Sequence, residues 1–205
     1  QASPPSASIG ESDLYVRTGG SGPPLLLLHG YPQTGAMWHQ VAPELAEHFS
    51  LVIPDLPGYG QSKGPPCDAA FEAYPQRTTA QTIVDLLSHL GHDKFRLAGH
   101  DRGARVAFRL SLDHPGKVEK YAALDIVPTL DQWARMNADR ALSGYHWQFL
   151  AVPAPLPETM IGSDPDMYHD HLLPRGAGNF DPMTAGPPPH HREPPPHPHD
   201  PPPPP

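Results

Sequence analysis

A five-residue segment at positions 99–103, Gly-His-Asp-Arg-Gly, constrains the fold of this chain more than any other feature. An apolar run at 95–98 leads into it, and a helical pattern at 104–112 follows it. The two glycines allow a strained turn from a strand into a helix, which lifts the central side chain above the end of a parallel sheet. Because that side chain is Asp101, the segment predicts a carboxylate nucleophile that forms an alkyl ester. The same pattern also arises by chance in loops, where Asp101 would only cap the helix.

Apolar runs alternate with helical patterns in the first part of the chain. Strands are predicted at 14–17, 25–28, 51–53, 95–98 and 121–124, the first as an antiparallel edge, and helices at 37–48, 78–90 and 104–112. This alternation predicts an α/β fold with a mostly parallel sheet that helices cover on both faces. Functional groups in such sheets gather beyond the carboxyl ends of the strands. Four residues are expected there: Tyr31, Asp55, Asp101 and Asp125.

The composition divides the chain into three parts. Residues 1–128 carry the strand and helix pattern, and residues 129–183 turn helical and are predicted to begin a cap over the sheet. Residues 184–205 are rich in proline and histidine, so they cannot bury a core and are expected to be disordered. Three interpretations of this tail stay open: a proline-rich ligand for an aromatic groove, a metal site, or an artefactual terminus, which we favour. The metal site would use His190, His191, His197 and His199.

Charge and cysteine content exclude several classes of function. The chain has 205 residues, a formal net charge of −8 and a single cysteine, Cys67. An acidic chain without a basic stripe argues against nucleic-acid binding. The apolar runs are far shorter than the roughly 18 residues of a membrane span, and no signal peptide pattern is visible. We therefore expect a cytoplasmic protein without disulfides that acts on a small molecule, with a homodimer as one option.

Several motifs together resemble the α/β-hydrolase fold, in the branch that holds haloalkane dehalogenases and epoxide hydrolases. Residues 29–32, His-Gly-Tyr-Pro, resemble its HGxP element, and residues 55–62 resemble its DxxGxGxS loop. Within that branch the similarity is to haloacetate dehalogenases. Residues 100–105 resemble their HDRGxR motif, residues 124–126 their LDI, and residues 145–147 their YHW. Each motif alone is weak, but several at matching separations are specific.

The resemblance implies a nucleophile and a carboxylate site around the elbow. Asp101 would attack the halogen-bearing carbon, and Arg102 with Arg105 would bind the carboxylate of the substrate. Two forked guanidiniums at a helix N-terminus suit a small carboxylate, and they offset the repulsion between two anions. Taken alone, two arginines three residues apart are more often a solvated helix face.

The resemblance also implies halide donors, an oxyanion hole and an orienting acid. His146 and Trp147 would donate ring N–H groups to the departing halide, which stabilises its developing charge. Tyr31 and the backbone N–H of Arg102 would form the oxyanion hole, and Asp125 would orient a catalytic histidine. The residues alone leave two alternatives open: a cap helix that merely packs its aromatic side chains, and an aspartate that caps a turn.

The resemblance has one gap, which concerns the base. The catalytic histidine of this family lies far beyond the elbow, and no histidine here stands in a matching motif, His114, His169 and His171 included. We therefore expect a C-terminally incomplete domain that lacks the last strands, leaves 121–124 as an unpaired apolar edge, and at best forms the ester.

The predicted function is hydrolytic dehalogenation of haloacetates, in which fluoroacetate and water give glycolate and halide. The resemblance implies that neither a metal nor an organic cofactor takes part. Two alternatives stay open. The first is an epoxide hydrolase of the same fold, and the second is a truncated, inactive product whose Pro/His-rich tail binds partners.

Overall fold

The computed structural model describes residues 6–65 and 76–176, and these contain one six-stranded sheet in the order β1-β2-β4-β3-β5-β6. The strands are β1 (Ser6–Ile9), β2 (Ser12–Gly19), β3 (Pro24–Leu28), β4 (Ser50–Pro54), β5 (Phe95–His100) and β6 (Val118–Leu124). β2 pairs antiparallel with β1 and with β4, whereas the four strands from β4 to β6 pair in parallel. The predicted mostly parallel sheet is confirmed.

Eight helices accompany the sheet in the described part of the chain. They are α1 (Ala42–Ala46), α2 (Gln76–His89), α3 (Arg102–Asp113), α4 (Thr129–Ala134), α5 (Ala138–Ser143), α6 (Tyr145–Phe149), α7 (Leu156–Ser163) and α8 (Pro165–Gly176). We call the five helices from α4 to α8 the cap. None of the described helices is long and apolar enough to cross a bilayer.

Alternate residues of the central strand β3 pack on opposite faces of the sheet. Leu26 and Leu28 belong to the larger apolar cluster, which includes the buried faces of α2 and α3. Leu25 and Leu27 belong to a smaller cluster with Trp38 on the other face, against which α1 packs. Since successive strand residues point to opposite faces, a continuous run of leucines is what a sheet covered on both sides requires. The two-sided cover is confirmed.

Two sequence predictions near the N-terminus are wrong in detail. β2 is not an edge strand, because β1 pairs with its outer side after a turn at Gly10, whose φ is +58°. The helix predicted at 37–48 is broken into a 3₁₀ turn, Gly35–Trp38, and the short helix α1. Pro43 lies in the first turn of α1, where its missing N–H costs nothing, and this favours a new helix start there. Val41, just before α1, is 45% exposed.

β6 ends the sheet within the described residues, where it pairs with β5 alone. Most of its residues are exposed, and Leu124 is 41% exposed to solvent. The prediction of an apolar edge strand is therefore confirmed for the described part of the chain. Cys67 and the Pro/His-rich tail lie outside the described residues, and the division of the chain at 128/129 and 183/184 stays a prediction.

Candidate active site

The turn between β5 and α3 has the geometry of the predicted elbow. Asp101 has φ 48° and ψ −118°, a region that residues with a side chain rarely occupy. A Cβ at Gly99 would lie 2.6 Å from the carbonyl oxygen of Gly103, and a Cβ at Gly30 would lie 2.6 Å from the Cβ of Asp101. Only glycine therefore allows the strand, the turn and the helix to approach so closely. The Asp101 side chain makes no capping hydrogen bond to α3, which removes the helix-cap alternative.

Asp55, at the end of β4, holds the loops beneath the elbow. Its side chain accepts hydrogen bonds from the backbone N–H groups of Gly35 at 2.8 Å and Gln61 at 3.0 Å. The guanidinium of Arg17 contacts the same carboxylate at 3.3 Å, and Asp55 is 1% exposed. The sequence predicts this aspartate at a strand end, as observed. It does not reveal that backbone N–H groups donate hydrogen bonds to the Asp55 carboxylate.

His29 lies in the core as a neutral imidazole with a defined tautomer. The backbone N–H of Leu56 donates to its Nε2 at 2.8 Å, so the ring proton is on Nδ1, which donates to the carbonyl of Gly30 at 2.9 Å. Burial lowers the pKa of His29, although the Gly30 carbonyl and the Asp55 carboxylate oppose that shift. The first residue of the HGYP motif therefore braces the backbone just before Tyr31.

A cavity of about 220 Å³ opens above the elbow, between α3 and the cap. Six of the seven predicted site residues line it: Tyr31, Asp101, Arg102, Arg105, His146 and Trp147. Four other residues complete the lining: Gln76, Trp133, Leu150 and Ala151. The chain folds so that the HGYP loop, the elbow and the cap motif meet at one place, as parallel strand ends allow. Sequence reasoning missed the last four, because no motif marks them.

The two arginines on α3 have different surroundings. Arg102 is exposed, whereas Arg105 is half-buried with its guanidinium carbon 3.5 Å from the ring centre of Trp147. Nε and Nη2 of Arg105 are buried and have no hydrogen-bond partner among the described residues. Burial lowers the pKa of Arg105 to about 10, opposed by Asp101 and assisted by Arg102. A desolvated guanidinium with spare donors can bind an anion at this point in the cavity.

His146 is the second group in the cavity with an unsatisfied polar atom. Its Nδ1 is buried without a hydrogen-bond partner in the described structure. Burial lowers its pKa, with Arg105 acting in the same direction and Asp101 against it, so the ring is neutral at pH 7. Its neighbour Trp147 packs edge-on against Trp133, with ring centres 6.1 Å apart. Both predicted halide donors therefore line the cavity, and their role stays a prediction.

Asp125 lies apart from the other predicted residues. It follows β6 with φ 50°, its side chain is 85% exposed, and it does not line the cavity. Its carboxylate lies 4.0 Å from Nε2 of His100, whose Nδ1 lies 3.1 Å from the side-chain oxygen of Gln33. Its role as the orienting acid stays a prediction. In residues 6–65 and 76–176, no group of three metal-ligating side chains is placed to hold a metal ion.

Two tyrosines that sequence reasoning did not single out support the cavity wall. The hydroxyl of Tyr168, on α8, lies 3.4 Å from the hydroxyl of Tyr31. Tyr59 packs edge-on against Tyr31 and against His29, with ring centres 6.5 Å and 5.3 Å away. Tyr59 lies inside the DxxGxGxS loop and could have been proposed from it, whereas Tyr168 lies beyond every recognised motif.

Comparison with known proteins relates most of the chain to one fold. The family model of the alpha/beta hydrolase fold matches residues 23–188. A fluoroacetate dehalogenase from Burkholderia sp is 43% identical over 178 residues, which make up 85% of this chain and 59% of that protein. A soluble epoxide hydrolase from Corynebacterium sp. (strain C12) is 42% identical over 124 residues, which make up 60% of this chain and 42% of that hydrolase.

A solved alpha/beta hydrolase from Nostoc sp PCC 7120 superposes with a TM-score of 0.83 at 44% identity, covering 87% of this chain and 62% of its own. The chain thus spans roughly three fifths of the length of the dehalogenase and of the solved hydrolase.

Proposed function

Because the chain belongs to the alpha/beta hydrolase fold family, we propose that its cavity dehalogenates small 2-halo acids such as fluoroacetate, through an ester on Asp101. One observation carries the proposal: Arg105 lines the same cavity as Asp101 and holds two buried N–H groups without a hydrogen-bond partner among the described residues. An anionic substrate would satisfy those donors, and it would be held beside the carboxylate that attacks it. The 43% identity to a fluoroacetate dehalogenase supports the same chemistry.

The first step forms the ester. A carboxylate oxygen of Asp101 attacks the carbon that bears the halogen, so a C–O bond forms while the carbon–halogen bond breaks and halide leaves with the electron pair. The buried Nδ1 of His146 and the indole N–H of Trp147 would donate to that halide. Fluoride is a poor leaving group, so donors already fixed in a partly dry cavity lower the barrier most at this point.

Binding of the carboxylate is the task of the first turn of α3. Arg102 and Arg105 lie three residues apart there, so their side chains leave the helix on the same side and both line the cavity. The helix N-terminus adds its partial positive charge. Together these charges hold a carboxylate within reach of Asp101, although both groups are anionic.

The second step would hydrolyse the ester and needs a base to activate water. Among the described residues, the imidazole beside Asp125 is that of His100, 4.0 Å away, and it does not line the cavity. The proposal for this chain is therefore ester formation with release of one halide, and hydrolysis through Asp125 and a histidine is the family reaction that the resemblance implies.

The test measures halide release and the mass of the intact protein after incubation with fluoroacetate and with chloroacetate. We expect about one halide per chain and a protein heavier by one carboxymethyl group, with neither seen in Asp101→Asn. Sustained release of many equivalents would show that the chain also hydrolyses its ester. Absence of both halide and adduct in the unchanged chain would overturn the proposal.

An epoxide hydrolase is the second candidate, and the hydroxyl pair of Tyr31 and Tyr168 at the cavity wall favours it. Opening an epoxide with Asp101 requires an O–H donor for the epoxide oxygen, and a tyrosine can supply one. Arg105 would have no anion to bind in that case. Styrene oxide and fluoroacetate, offered to the unchanged chain and to Arg105→Ala, separate the two functions, because only turnover of the acid should need the arginine.

A further inference from the structure

The side chain of Tyr31 has no role in the dehalogenation steps proposed for Asp101 and the two arginines. Yet this side chain lines the cavity together with Asp101 and both arginines of α3. Its hydroxyl lies 3.4 Å from the hydroxyl of Tyr168, a residue of the cap that is 7% exposed. Within the described residues, neither hydroxyl has another hydrogen-bond partner.

The hydroxyl pair leaves one proton available. Each hydroxyl carries one proton and can accept two hydrogen bonds, and a bond between the two groups uses only one proton. In the structure Tyr31 donates to Tyr168. Because a hydroxyl proton can rotate, an incoming carboxylate can accept the proton of Tyr31 while Tyr168 donates to Tyr31 in return. Burial and the bond to Tyr168 both raise the pKa of Tyr31, and the positive charge of Arg102 opposes that shift, so this group keeps its proton at neutral pH.

Each ring of the pair packs against another aromatic ring. Tyr59 packs edge-on against Tyr31 with ring centres 6.5 Å apart, and Phe149 lies 6.0 Å from Tyr168. Tyr59 comes from the loop after β4 and Phe149 from the cap, so the hydroxyl of Tyr31 is oriented by both halves of the molecule. A donor held in place before the substrate arrives loses little entropy on binding.

We propose that the Tyr31 hydroxyl, oriented by Tyr168, is a third hydrogen-bond donor for the carboxylate of the substrate, beside Arg102 and Arg105. The inference rests on the proposed function and adds to it a binding residue and a positioning residue. Tyr31 touches the substrate, whereas Tyr168 acts only through Tyr31. The site is thereby specific for small carboxylic acids whose carboxylate oxygen can accept a hydrogen bond from Tyr31.

The test compares Tyr31→Phe, Tyr168→Phe and the double variant by single-turnover halide release from chloroacetate. We expect Tyr31→Phe to raise the half-saturating concentration roughly tenfold with little change in the limiting rate, as loss of one hydrogen bond to a charged group predicts. Tyr168→Phe should raise it less. The double variant should match Tyr31→Phe, because the second hydroxyl has nothing left to orient.

Tyr121→Phe is the matched control. Its hydroxyl donates to the carbonyl of Ala104 at 2.8 Å and does not line the cavity, so its loss should change thermal stability but not the half-saturating concentration. Chloroacetamide, which lacks the charge, should respond less than chloroacetate to Tyr31→Phe.

An unchanged half-saturating concentration in Tyr31→Phe would overturn the inference, and so would an equal loss for the acid and the amide. A double variant that shows the sum of both single effects would remove Tyr168 from its positioning role. If the unchanged chain releases no halide, the proposed function is wrong instead. Binding of unreactive acetate to the same variants, measured by calorimetry, would then still test the carboxylate contact.

Discussion

Asp55 and Asp101 each lie at the end of a parallel strand, but their carboxylates differ in whether other groups of the protein bind them. Asp55 is 1% exposed, and backbone N–H groups and Arg17 engage its oxygens. Asp101 occupies a strained backbone conformation, its side chain makes no capping hydrogen bond to α3, and it lines the cavity. The difference teaches that a strand-end aspartate is available for chemistry only where its surroundings leave its oxygens free.

The same contrast separates the two regions around these residues. In the layer beneath the elbow, both ring nitrogens of the buried His29 have backbone partners. In the cavity above the elbow, buried nitrogens of Arg105 and His146 have none among the described residues. Buried polar groups with partners hold the backbone in place, whereas unpartnered ones beside a cavity are available to a ligand. Variants in the lower layer should therefore lower stability, and variants in the cavity should change chemistry.

The largest effect should come from Asp101→Asn. The amide removes the proposed nucleophile, so halide release should fall by roughly a thousandfold or more while the thermal unfolding temperature stays close to that of the unchanged chain. Halide electrodes and calorimetry measure the two quantities. Retained activity would place the nucleophile elsewhere, and a large loss of stability would break the contrast with Asp55.

Next in size is Asp55→Ala, which leaves the N–H groups of Gly35 and Gln61 buried without their acceptor. We expect the free energy of unfolding to fall by about 2 to 4 kcal/mol, measured by urea denaturation. Asp125→Ala is the matched control, because that side chain is 85% exposed and its loss should cost less than about 0.5 kcal/mol. Equal losses in the two variants would contradict the division into two layers.

A smaller change is expected for Arg105→Gln, which removes the buried charge but keeps a polar side chain. The half-saturating concentration of chloroacetate should rise roughly tenfold to a hundredfold, and stability should hold or increase because a desolvated charge is lost. Arg109→Gln is the control on the same helix, since Arg109 pairs with Asp113 and does not line the cavity. If both variants bind the acid equally, Arg105 is not its anchor.

The smallest effect concerns pH. His29 and His146 both have a pKa lowered from 6.5 in the folded chain, so the unfolded chain binds more protons below that value. Stability should be fully present well above pH 6.5 and should fall as the pH drops through and below that value, with His29 contributing to the loss. Urea denaturation of His29→Gln from pH 7.5 to 5 should give a flatter profile, whereas the exposed His89→Gln should follow the unchanged chain. A profile for His29→Gln as steep as the original would remove His29 as its source.

Much of the fold could be predicted from sequence because local pattern and global topology agree here. The leucine run of β3 indicates a two-faced sheet, and α2 buries Ile83, Leu86 and Leu87 as its spacing predicts. Gly91, with φ +82°, stands directly beyond the end of that helix, where the stop was expected. The errors occur where a short-range event overrides periodicity, as at Pro43, or where a short strand such as β1 carries no pattern of its own.

The candidate site was predictable only as far as its motifs reach. The elbow glycines and the positions of the two arginines follow from local geometry, and the cavity brings six predicted residues together. Tyr168 and Gln76 come from elements whose place depends on long-range packing, which no local pattern encodes. The position of Asp125, 85% exposed beside His100, likewise depends on what surrounds the end of β6 rather than on the residues next to it.

The contact between Arg105 and Trp147 joins the sheet region to the cap. Arg105 is part of α3 on the sheet, whereas Trp147 is part of α6 in the cap, with the guanidinium 3.5 Å from the indole centre. An anion that binds in the cavity lined by both side chains would stabilise this arrangement over any in which the cap has lifted. Occupancy of the site should therefore slow amide hydrogen exchange in α6 while leaving the exchange of β3 unchanged.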